Sequence, residues 1–194
     1  MTRTVTRLFD SRTEAEAAVR DLEAAGIPTD RLSIIAADAR AGEARSFTSE
    51  RDADEGSETL EGAGQGAGVG AAIGGGVGLL AGLGALAVPG LGPVLAAGWL
   101  GTTIAGAATG AAVGGVTGGI LGALKDAGVN EEDAHVYAEG VRRGGSIVSV
   151  RVDDDDVGRV DDILTRHGGV LAGDRAPLYR SEGWSRFEET RATV

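Results

Sequence analysis

Few residue types in this chain can do chemistry, and their spacing argues against most of it. There is no cysteine, which removes thiolate nucleophiles, disulfides and cysteine-ligated metals and suits a reducing interior. The histidines, His135 and His167, fall in separate elements, and two ligands are too few for a metal site. Both read as surface or helix-end residues. His167, near a helix C-terminus, fits the dipole when protonated. Asp153 to Asp156 are consecutive carboxylates whose side chains must point in different directions. A calcium loop alternates its ligands, so this run reads as a solvated helix start. Gly-x-Gly-x-x-Ala occurs at Gly66-Gly68-Ala71, Gly76-Gly78-Ala81 and Gly82-Gly84-Ala87. No strand is expected before these motifs and no acid follows about 20 positions on, so they reflect composition and not a dinucleotide site. Lys125, the only lysine, precedes Asp126, which is no phosphate-loop ending. No nucleophile, base and acid stand in a recognisable order. The expectation is a protein with no catalytic residue, metal, cofactor or small-molecule substrate.

The elements that would position any site are of two materials. No charged residue lies between Gly62 and Leu124, a run of 63 positions, and all 47 charged residues lie in the other 131. That remainder is about a third charged, above the typical quarter. The net charge of −11 excludes a basic face for nucleic acid. The opening MTRTVTRLFD has no apolar run behind its arginines, so no cleavable signal peptide is expected.

The uncharged centre divides at Pro89-Gly90-Leu91-Gly92-Pro93, residues that turn a chain and end helices. Its two arms, 62–88 and 94–124, carry glycine every fourth position. In the first these are Gly62, Gly66, Gly70, Gly74, Gly78 and Gly82. In the second they are Gly98, Gly106, Gly110, Gly114, Gly118 and Gly122, with Thr102 in the gap. On a helix such positions share one face and form a groove for close backbone approach, the small-xxx-small motif of membrane helices. Glycine costs about 1 kcal/mol against alanine in an exposed helix, so these helices favour hydrocarbon or a packed partner over water. The spacing predicts a glycine-zipper helical hairpin, with Trp99 as an interfacial anchor and Arg142-Arg143 near headgroups. Helix C-terminal charge is the plainer reading of the arginines. A soluble oligomer with packed hairpins is the alternative to insertion.

The flanks read as strand–helix–strand units. Thr4 to Phe9 is β-rich, Ser11 and Glu14 form a capping box, Ala15, Ala18, Val19 and Leu22 mark a buried face, and Gly26 ends the helix. Arg31 to Ala37 is a second strand. After the hairpin, Asn130 caps a helix with Ala134, Tyr137, Ala138 and Val141 inward and Gly144 at its end. Ser146 to Val152 alternates as a strand with Val148, Val150 and Val152 on one side. Val157, Val160, Leu164 and Gly168 then repeat the pattern of Ala15, Ala18, Leu22 and Gly26, and Val170 to Ala172 begins a last strand. Two such units predict an α+β fold: a ferredoxin-like βαββαβ sandwich interrupted by the hairpin. The divisions are 1–37 and 127–176 for the two halves, an acidic loop at 38–61, the hairpin at 62–124 and a tail at 177–194. The halves are expected to fold without the hairpin.

TRLFDSRTEAEAAVRDLEAAGI with RLSIIAAD, and GVNEEDAHVYAEGVRRGGSIVSVRV, resemble the bacterial general stress protein 17M-like domain family, also called the YflT-type heat-induced stress protein domain. Tyr137 to Gly145 is the most specific stretch. The resemblance spans the two flanks and the character of the insertion. It implies a stress-associated role and carries no catalytic residues. The resulting expectation is a non-enzymatic, stress-associated membrane protein. Its hairpin sits in the bilayer or self-associates, with both chain ends on the cytoplasmic side of the inner membrane. The alternative is a cytoplasmic homo-oligomeric structural protein.

Overall fold

The computed structural model describes residues 2–37, 84–88, 92–110 and 119–187. The fold is α+β, built on an antiparallel sheet. Its strands are β1 (Thr2–Phe9), β2 (Leu32–Ala37), β3 (Gly84–Val88), β4 (Gly92–Gly98) and β5 (Ser146–Asp153), in the spatial order β1-β5-β2-β4-β3. Its helices are α1 (Arg12–Ala24), α2 (Trp99–Gly110), α3 (Ile120–Asp126), α4 (Glu131–Arg142), α5 (Val157–Arg166) and α6 (Ala172–Ser181). Short 3-10 turns at Thr29–Arg31 and Asp154–Asp156 lead into β2 and α5.

Sequence alternation decides which side of the sheet each helix covers. Val148, Val150 and Val152 of β5 face α1 and α5, where Ala15, Ala18, Leu22, Val160 and Leu164 are fully enclosed. Ser11 caps α1 with Glu14 in the expected box. Ile147 of β5 and Ile35 of β2 point to the other side, against α2, α3, α4 and α6. Two apolar layers thus sandwich one sheet, which satisfies the two-faced hydrophobicity of its central strands.

The centre of the chain departs from expectation. Gly84–Val88 and Gly92–Gly98 pair antiparallel, with Val88 opposite Gly92. The proline-glycine turn therefore joins two strands, not two helices. Strand β4 then pairs with β2 from Ser33–Gly98 to Ala37–Val94. Pro93 lies beyond that ladder and faces only β3, which suits a residue lacking an N–H. A short apolar run fits a buried strand and a helix equally well by periodicity, and here the free edge of β2 takes it. The expected helix over 94–124 is also interrupted further on. Gly119 is an extended N-cap that starts α3 afresh, so Gly122 belongs to a new helix that begins at Ile120.

The membrane-spanning expectation is overturned among the described residues: no helix is long and apolar enough to cross a bilayer. Helix α2 has 12 residues and α3 has 7, where a span needs about 20. Residues 62–83, with Gly62, Gly66, Gly70, Gly74, Gly78 and Gly82, and the positions Gly114 and Gly118 lie outside the described residues, as does the segment 38–61.

The later chain also differs. The expected last strand is a single bridge, Val170 to Leu8, closed by two backbone hydrogen bonds of 2.9 and 2.8 Å. Helix α6 follows at once and crosses the boundary drawn at residue 176. Pro177 inside it is a residue that normally breaks helices, which hid α6 in the sequence.

Candidate functional site

Helix α4 is enclosed on all sides over its later part, with every residue from Ala134 to Val141 buried. It lies between the sheet, α3 and α6, so its expected apolar face is only part of what it buries. Two polar groups are consequently drawn inside.

The first is Glu139, whose side chain is 1% exposed. Arg142 reaches it through Nε at 2.7 Å and a terminal nitrogen at 2.6 Å, and Arg143 through Nε at 2.6 Å. Burial alone would raise the carboxyl pKa, but the hydrogen bonds and charges of the two arginines outweigh it and hold the pKa below the usual range. Arg143 also pairs with Glu182 and stacks on the Tyr179 ring, 4.2 Å from its centroid. The arginines expected at headgroups are therefore committed to an internal carboxylate, as helix C-terminal charges.

The second is His135, at 8% exposure, which corrects its reading as a surface residue. Arg186 donates from Nε to His135 Nε2 at 3.0 Å, so that ring nitrogen carries no proton. Burial first, then the positive charge of Arg186, lowers the His135 pKa; Glu131 and the Phe187 backbone oppose them less strongly. A shallow groove beside the ring is lined by Glu131, Glu132, Arg180, Trp184 and Arg186. No signal in the sequence marked this constellation, because Trp184, Arg186 and Phe187 follow no period.

Other expected positions are scattered. Trp99 opens α2 partly buried, with the Arg151 guanidinium 3.6 Å from its ring centroid, and so stacks within the protein. Gly106 and Gly110 fall one turn apart on α2, and Gly122 lies on α3. His167 caps α5 and meets Asp21 of α1 at 2.8 Å. In the acidic run, Asp153 pairs with Arg31 at 3.0 Å, Asp154 with Arg3 at 3.3 Å and Asp156 with Arg159 at 3.0 Å. Among the described residues no group of three or more His, Cys, Asp or Glu side chains converges to hold a metal. Of the glycine motifs only Gly84 and Ala87 are described, and both lie in strand β3.

Compared with family models, curated proteins and solved structures, the chain matches nothing in any of the three.

Proposed function

We propose that this chain is a non-enzymatic structural protein that self-associates through its uncharged segment, in the stress-associated role its family resemblance implies. The observation that carries the reading is the placement of β3. It forms an outer edge of the sheet, with β4 as its one strand neighbour among the described residues. Its sequence, Gly84 to Val88, has no charge and no proline. An edge strand offers unpaired backbone donors and acceptors, and proteins that stay single usually guard such edges with charge, proline or a covering element. The opposite edge is guarded in that way: β1 carries Arg3 and Arg7 and is bridged by Val170. The preferred partner is a second copy. Two chains of net charge −11 repel everywhere except along the 63-residue uncharged stretch, of which β3 is part.

The core that presents this edge is ferredoxin-like in the same proposal. Support comes from β1 and β2 flanking β5, both antiparallel to it, with α1 and α5 on one face and Val170 outside β1. The connection from β2 to β5 carries the insertion.

Sedimentation of the full chain tests the association. A dimer or larger species is expected, shifting toward monomer when Ala85→Lys places a charge on the edge. A monomer at all accessible concentrations overturns the proposal, as does an assembly indifferent to Ala85→Lys.

A further inference from the structure

The segment after α6 folds back as a strap over α4. Trp184 stands edge-on to Tyr179, with ring centroids 5.9 Å apart, and its backbone N–H reaches the Tyr179 carbonyl at 3.1 Å. Phe187 is 3% exposed and joins the apolar cluster of α4 and α6. Between these anchors Arg186 is 63% exposed, and its polar hold among the described residues is on α4: Nε on His135, and a terminal nitrogen on Glu131 at 2.9 Å. The Trp184 indole N–H is buried with no partner among the described residues, which weakens the closed form.

The charges around the ring are mixed. Glu131 Oε1 lies 3.9 Å from His135 Nε2, and its other oxygen takes Lys125 of α3 at 3.0 Å. Glu132 of α4 is held by Arg180 of α6. Arg186 is the group that donates directly to the ring. A proton on Nε2 replaces an acceptor by a donor at that point. It also sets two positive charges within hydrogen-bond distance, and the new imidazolium competes with Arg186 for Glu131.

We propose that residues 184–187 form a pH-gated strap, closed on α4 while His135 is neutral and released when His135 takes a proton. Release withdraws Trp184 and Phe187 and uncovers the apolar surface of α4 and α6 beneath them. The sheet is built from other residues, and of the strap Phe187 alone is among the buried residues of the layer over it, so the fold is expected to outlast release.

Trp184 reports the strap directly once Trp99→Phe removes the other tryptophan. In that full-length background, emission and trypsin cleavage at Arg186 are followed from pH 8 to pH 4.5, with far-UV circular dichroism alongside. The expected result is a red shift and faster cleavage below the usual histidine range, the released fraction rising about tenfold per pH unit while the populations follow one proton. Circular dichroism should stay constant through the transition. His135→Gln should abolish the pH dependence, and His167→Gln should leave it intact. An unchanged signal in the parent, the same transition in His135→Gln, or its loss in His167→Gln overturns the proposal. A transition that coincides with loss of helical signal also overturns it, since that is acid unfolding of the whole domain.

Discussion

Tyr137 donates its hydroxyl to the backbone carbonyl of Thr6 at 2.9 Å, joining α4 to β1 across 131 positions of sequence. The phenol is enclosed, and burial pushes its pKa up to about 12. Tyr137→Phe keeps the ring and removes the bond, which should cost about 1 kcal/mol in denaturant unfolding. The raised pKa also sets an alkaline limit. Between the ordinary tyrosine value of about 10 and the folded value, the unfolded chain loses the proton first, so stability falls as pH rises through that window. Tyr137→Phe should flatten this fall, and ultraviolet titration of tyrosinate should place one group near the upper end.

Glu139→Gln should be among the more damaging polar substitutions. The amide cannot accept from both Arg142 and Arg143 through charged oxygens, and the Glu139 side chain itself is enclosed. A loss of about 1–3 kcal/mol is expected. The wild-type carboxyl is held below its ordinary range, so its contribution is present above about pH 4.3 and fades as pH falls from there. A Glu139→Gln protein should show a shallower acid limb in thermal unfolding followed from pH 6 to pH 3. An equal slope would show that the arginines do not favour the charged form.

Gly98 turns the corner between β4 and α2 at a φ of +82°, and a Cβ there would overlap the Leu32 carbonyl oxygen. Gly98→Ala combines left-handed strain with a backbone collision that no rotamer relieves, and should cost about 2 kcal/mol or more. Gly158, in the first turn of α5, has nothing within 4 Å of its Cβ position. Gly158→Ala should stabilise by about 0.5 kcal/mol. Paired melting curves check both signs.

Residues 1–37 joined to 127–176 look self-sufficient by pattern, but the packing argues otherwise. The joined chain lacks β4, which completes the ladder on β2, and loses Leu100, Ile104, Ile120 and Leu124 from the core. It also loses Tyr179 and Phe187. We expect no cooperative unfolding transition from it, whereas extending the later piece to 92–187 should restore one.

What the sequence determined by itself is local and periodic. The capping box at Ser11 and Glu14, the Asn130 cap, the inward rows of α1, α4 and α5, and the alternating valines of β5 all follow from side chains a few residues apart. Such contacts depend only on helix or strand geometry. The α+β class was legible for the same reason. The tertiary structure decided whatever required a distant partner. Glycine every fourth residue specifies a groove only if the chain is already helical. The unsatisfied edge of β2 instead offered Val94 to Gly98 a full ladder of hydrogen bonds, and so those residues became a strand. His135, Arg186 and Phe187 carried no pattern, because nothing local tells a side chain that a strap 51 residues downstream will bury it. Burial is a property of the assembled layers, and the groups it captures become chemically distinctive only there.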